Sequence, residues 1–129
     1  MSEQDQAQHQ AEVQERWGDT GAYQQSQRRT KDYTERDWVQ IKAEAEGIET
    51  GLAAALNDGD AADSERAMDL AEAWRRHISR WYYPCSHQMA AGLAEMYTAD
   101  PRFRSHYEER AEGLAAYVAD AIRANATRA

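Results

Sequence analysis

With 129 residues and a net charge of -8, the chain has the length of a single domain and the wrong sign for nucleic acid: 23 acidic residues outnumber 15 basic ones, whereas phosphate binding needs a clustered basic surface. No stretch approaches the roughly 20 apolar residues of a membrane helix, and the polar, acidic residues 1–5 are unlike a signal peptide. One cysteine, Cys85, rules out an internal disulfide and fits a reducing compartment, so a cytoplasmic protein is expected.

Leu, Ile, Val and Phe together number only 13, which in a highly charged chain usually signals disorder. Against this stand 25 alanines, the best helix formers, and 12 aromatic residues, which bury large areas each. A core of very small and very large side chains is hard to fill without gaps, so a cavity is expected.

Residues 1–33 read as an N-terminal arm. Glutamines alternate with charges there, and Val13, Trp17 and Tyr23 are the sizeable apolar groups. Such a segment cannot offset its own ordering entropy, although short helices are predicted over 12–17 and 22–29. The Trp17 and Tyr23 rings either dock on the core or close over something. Residues 34–129 are predicted to be helical throughout. Thr34 and Asp37 form an acidic variant of a capping box, opening a helix with Trp38, Ile41, Ala45, Ile48, Leu52 and Leu56 on one face. Gly47 and Gly51, one turn apart, suggest a close backbone approach, and residues 57–60 supply turn chemistry. The next helix spans about 64–82 with Ser64 as cap and a stripe of Leu70, Trp74, His77, Ile78 and Trp81; Tyr83-Pro84 ends it. Ser86 caps a helix with Met89, Leu93, Met96 and Tyr97 inward. Asp100-Pro101 opens a short helix through Tyr107. The last helix is expected over 111–126, presenting Leu114, Tyr117, Val118, Ala121 and Ile122. No alternating strand pattern occurs, and the fold class is all-α.

Signals for catalysis are weak. Cys85 and His87 lie two residues apart and so point to different sides of a helix, and no phosphate loop, metal-spaced Cys/His set or nucleophile elbow is present. The basic run Arg75-Arg76-His77 with Arg80 lies among Asp69, Glu65 and Glu72, and reads first as a solvated face with Glu72 and Arg76 an i,i+4 pair. The densest constellation runs from Trp74 through His77, Trp81, Tyr82, Tyr83, Cys85 and His87 to Met89. Ordinary core is one reading. A ligand pocket is the other, because apolar walls with a few polar tips describe such sites and each buried tip needs a partner. Composition and periodicity leave the two open.

The run Arg16-Trp17-Gly18-Asp19-Thr20-Gly21-Ala22-Tyr23-Gln24-Gln25-Ser26 resembles the drug-binding domain of the thiostrepton-induced TipA proteins. So do Tyr33-Thr34-Glu35-Arg36-Asp37-Trp38, Ala62-Asp63-Ser64, the stretch from Leu93 to Phe103, and Gly113-Leu114-Ala115-Ala116-Tyr117 with Ile122-Arg123-Ala124-Asn125-Ala126. The motifs occur in order across nearly the whole chain after Glu12. This resemblance implies a globin-like helical bundle without haem or other cofactor, a thiopeptide- or albicidin-like antibiotic held in a cleft, and an arm that folds over the bound drug. In the family's full-length regulators the domain follows a MerR-type DNA-binding domain; the present chain resembles the free-standing form that sequesters drug. Its founding member has two cysteines seven residues apart, one of which attacks a dehydroalanine of the drug. Here the first matches Cys85 and the second position is Gly92, so non-covalent capture is expected. The expected ligand contacts are Trp17, Tyr23, Trp38, Trp74, His77, Trp81, Tyr82, Cys85, His87, Met89, Gly92 and Met96, with no metal ligand. The expected partner is a small-molecule or peptide antibiotic, with no direct nucleic-acid or membrane contact, and the chain acts as a monomer or homodimer. Two alternatives are a ligand-sensing effector domain of a MerR-type activator and a globin-like haem or bilin sensor using His77 or His87.

Overall fold

The computed structural model describes residues 21–128. Among these there are six helices and no strand: α1 Gly21–Lys31, α2 Glu35–Asn57, α3 Glu65–Trp81, α4 His87–Ala99, α5 Pro101–Glu108 and α6 Leu114–Arg128. The predicted helix over 12–17 lies outside the described residues; the one over 22–29 is α1, longer by a residue or two at each end.

Short polar side chains start most of these helices, as their spacing requires. The Thr34 amide donates to the Asp37 carboxylate at 2.9 Å, and the Asp37 amide to the Thr34 hydroxyl at 3.2 Å, a reciprocal capping box. Ser64 accepts from the Ala67 amide and Ser86 from the Met89 amide. Asp100 serves twice: its amide closes α4 on the Met96 carbonyl, and its carboxylate accepts from the Arg102 amide to open α5 behind Pro101. Helix α2 stops at Asn57, and the turn after it passes through Gly59, whose φ of +81° is costly for any residue with a Cβ. The last helix begins at Leu114 rather than 111, because Gly113 adopts a φ of +83° and holds residues 111–113 in a turn.

The described chain falls into two compact units, residues 21–46 with 77–84 and residues 47–76 with 85–128. In the first, Ser26, Ile41, Ile78, Trp81, Tyr82 and Tyr83 are buried. In the second, α4 packs along α6, and α5 rests against both. Its interior pairs alanines (Ala67, Ala71, Ala94, Ala119 and Ala121) with Leu52, Leu93, Leu114, Val118 and Ile122, all buried. Small side chains bring helix axes together, and the larger ones fill the space between them. The two helix glycines behave differently. A Cβ on Gly51 would lie 2.9 Å from Leu70 Cδ2, so a side chain, not backbone, makes the close approach there. A Cβ on Gly47 would meet nothing within 4 Å, and no close approach occurs at that position.

Candidate functional site

In the first unit, one carboxylate gathers the polar tips of the aromatic constellation. Glu44 lies on α2 three residues after Ile41 and four before Ile48, so it shares the inward face with them. Its Oε1 accepts from the Trp81 indole N–H at 3.1 Å and faces His77 Nδ1 at 3.2 Å. Its Oε2 accepts from Gln40 at 3.1 Å and from the Arg80 guanidinium at 3.5 Å. Partial burial pushes the pKa of this carboxyl up, but the bonds from Trp81, His77 and Gln40 outweigh it and hold the pKa below its usual value. His77 and Trp81 are one turn apart on α3, which is why a single carboxylate reaches both.

Tyr33 closes the group from the segment between α1 and α2. Its ring stands edge-on to Trp38 and to Trp81, with centroids 5.6 Å away in each case, geometries that add about 0.5–1.5 kcal/mol per pair beyond burial. The Tyr33 hydroxyl donates to the Trp81 carbonyl. Arg29 on α1 donates to the Ser79 carbonyl at 2.5 Å and the Arg80 carbonyl at 3.3 Å. The last carbonyls of α3, which the helix itself cannot satisfy, are thus met by side chains from residues 29 and 33. The Arg80 guanidinium lies 4.6 Å from the centre of the Trp81 ring, within cation–π range. Tyr82 is buried, and burial followed by the nearby Tyr33 raises its pKa far above the ordinary phenol value.

In the second unit, Trp74 stacks edge-on to Tyr97 at 5.5 Å, and Tyr97 meets Phe103 and Tyr107 at the same separation. Cys85 and Met96 are buried, while His87, Met89 and Gly92 are half-buried. The basic run resolves differently from a solvated face. Arg75 grips Glu72 with two bonds, at 2.8 and 2.6 Å, and donates to the Cys85 carbonyl at 2.7 Å. Arg76 supplies the expected i,i+4 bond to Glu72 at 2.9 Å, and Asn125 on α6 adds another at 3.0 Å. These bonds, Arg75 foremost, hold the Glu72 carboxyl at a pKa of about 2. Burial pushes the Cys85 thiol up to about 12; the nearby Arg75 pulls it down and Glu72 pushes it further up, with burial winning. Away from these residues, Glu49 is buried and accepts from His106 at 2.9 Å and Arg110 at 3.4 Å.

Of the residues that the sequence singles out, Trp38, His77, Trp81 and Tyr82 stand in the first unit, and Trp74, Cys85, His87, Met89, Gly92 and Met96 in the second. Trp17 lies outside the described residues, as does the Tyr23 side chain. Glu44, Arg29, Tyr33 and the Glu72–Arg75 pair were missed as functional groups. Among the described residues no group of three or more His, Cys, Asp or Glu is placed to hold a metal ion, and no helix is long and apolar enough to cross a membrane.

The described residues thus define an all-helical domain in which a carboxylate, Glu44, ties down the polar tips of buried aromatic side chains. The family model of the TipAS antibiotic-recognition domain matches residues 9–125. The chain is 46% identical over 121 residues to the HTH-type transcriptional activator TipA of Streptomyces coelicolor, covering 94% of this chain and 48% of that one. It is 35% identical over 100 residues to the HTH-type transcriptional activator mta of Bacillus subtilis, covering 77% of this chain and 38% of that one. It therefore spans about half the length, or less, of these curated relatives. Among solved structures it matches TipAS from Streptomyces lividans in complex with nosiheptide, with a TM-score of 0.84 and 46% identity over 95% of this chain and 85% of that one. It also matches the antibiotic binding domain of a TipA-class multidrug resistance transcriptional regulator, with a TM-score of 0.64 and 44% identity over 68% of this chain and 94% of that one. The chain belongs to the TipAS antibiotic-recognition domain family and has its globin-like helical fold.

Proposed function

We propose that this chain captures a bulky, largely apolar antibiotic of the thiopeptide kind in the cytoplasm, holds it without a covalent bond, and does no chemistry on it. The observation that carries this reading is the likeness, over 95% of the chain, to a TipAS that has nosiheptide bound. The half-buried Trp38 beside the buried His77, Trp81 and Tyr82 makes an apolar wall that suits such a guest, because apolar contact contributes roughly 25 cal/mol per Å² buried before ordering costs. The burial of Cys85 supports non-covalent capture, since only a thiolate adds to a dehydroalanine. Of the arm expected over residues 1–33, residues 1–20 lie outside the described residues, and residues 21–33 form α1 and the segment after it, with Ser26 buried.

The test is calorimetric titration of the purified chain with nosiheptide, followed by the same titration of Trp81→Ala. Saturable one-to-one binding that the variant weakens, while thermal unfolding shows the variant still folded, supports the reading. Absence of binding to nosiheptide and to other thiopeptides sinks it.

A second reading has its own support. The relatives that match are transcriptional activators about twice as long, so the domain is equally suited to report antibiotic to a DNA-binding partner rather than to sequester it. Measuring reporter transcription from the natural gene's own operator, with and without thiopeptide, separates the two.

A further inference from the structure

Trp81 is held at both ends. Its carbonyl accepts the Tyr33 hydroxyl, and its indole N–H donates to Glu44 Oε1 at 3.1 Å. The same oxygen lies 3.2 Å from His77 Nδ1, one turn earlier on α3. A tryptophan ring turns about two side-chain bonds, and nothing in a helix fixes the second. A buried indole N–H must find an acceptor, so the place of that acceptor decides the plane of the ring. Here one oxygen serves two rings, which sets each relative to the other. The second oxygen is met independently by Gln40 at 3.1 Å and Arg80 at 3.5 Å, so a swing of the carboxylate toward either ring would break these contacts.

We propose that Glu44 is the positioning residue of the ligand site: without touching the antibiotic, its carboxylate presets the Trp81 indole and the His77 imidazole in the orientation that receives it. The proposal rests on the antibiotic-binding reading above. Its physical content is preorganisation. Rotamer freedom that would be lost on binding is already lost in the ligand-free protein, and affinity rises by that amount. The Trp81 indole N–H and His77 Nδ1 are both directed at Glu44, which favours an apolar guest over one that needs those two groups as hydrogen-bond partners.

The experiment uses the full chain and three variants. Trp81→Phe identifies the Trp81 indole N–H resonance in the spectrum of nitrogen-15-labelled protein. Glu44→Leu removes the acceptor at nearly constant size, and Glu44→Gln restores an acceptor oxygen without charge. In E44L the Trp81 indole signal is expected to move and to exchange faster with solvent, and nosiheptide affinity to fall by about 10- to 100-fold, the effect of one hydrogen bond to a charged group. E44Q is expected to bring the signal close to its original place and to recover most of the affinity. An E44L protein that binds as tightly as the original, or whose Trp81 signal stays put, overturns the proposal. If E44L fails to fold, Glu44→Asp carries the same test, since its shorter arm must displace the Trp81 signal and weaken binding together. A wild-type chain that fails to bind nosiheptide defeats the antibiotic reading instead, and the ligand-free Trp81 signal then still decides whether Glu44 orients the ring.

Discussion

The thiol of Cys85 offers a measurement whose size follows from its surroundings. An ordinary cysteine of pKa about 8.5 is roughly one-quarter thiolate at pH 8, whereas a thiol near 12 is thiolate in about one molecule in ten thousand, roughly two-thousandfold less. Part of the loss returns, because a more basic thiolate is a better nucleophile. With a Brønsted slope of about 0.45 over roughly 3.5 pKa units, the gain is about fortyfold. The native protein should therefore react with an aromatic disulfide at least about sixtyfold more slowly than the same chain unfolded in denaturant, before any steric shielding by the surrounding side chains. The assay is the absorbance of the released thiolate under both conditions, together with the intact mass after incubation with a thiopeptide and denaturation. A native rate within about tenfold of the unfolded one, or an adduct that persists in the native chain and is absent from Cys85→Ser, would refute the account of this environment.

Gly47→Ala should stabilise the chain by about 0.5–1 kcal/mol in thermal unfolding, since the new Cβ meets nothing, whereas Gly51→Ala should gain less or lose stability, because Leu70 must shift from 2.9 Å. Glu72 has its pKa lowered from 4.5 to about 2, so its contribution is fully present above about pH 5 and fades as pH falls toward 2. The contribution is on the order of 3 kcal/mol, and chemical denaturation across that range should show a steeper loss in the original chain than in Glu72→Gln. Arg29→Ala removes the bonds to the Ser79 and Arg80 carbonyls, and amide hydrogen exchange in α1 should quicken by about tenfold or more; unchanged exchange would mean that other contacts hold this helix.

Local chemistry was the part of this fold that the chain displayed openly. Thr34 with Asp37, Ser64, Ser86 and Asp100 act within four residues of themselves, and each marks a helix start where spacing places it. Glu44 was harder to read because its partners lie 33 and 37 residues further on. A clue was present all the same: a carboxylate inside the stripe Ile41–Ile48 had to find donors, and Glu49, between Ala45 and Leu52, posed the same question. Glu72 was seen with only its neighbour Arg76, since Asn125 is 53 residues away. The start of α6 was misplaced for a local reason, as the alanine and glutamate before Gly113 suit a helix that a positive φ then forbids.

Asp100 ends one helix and begins the next with no residue to spare. One extra residue at this junction would turn α5 by roughly 100° about its axis and advance it by about 1.5 Å. Tyr107 would leave Tyr97, and His106 would leave Glu49. Length variation among natural sequences of this type should accordingly collect in the turn at residues 58–64 and stay out of 99–102, although both are largely exposed. Segment length here should be constrained as tightly as any core side chain, and a library of single-residue insertions would find this short, polar joint as intolerant as the interior.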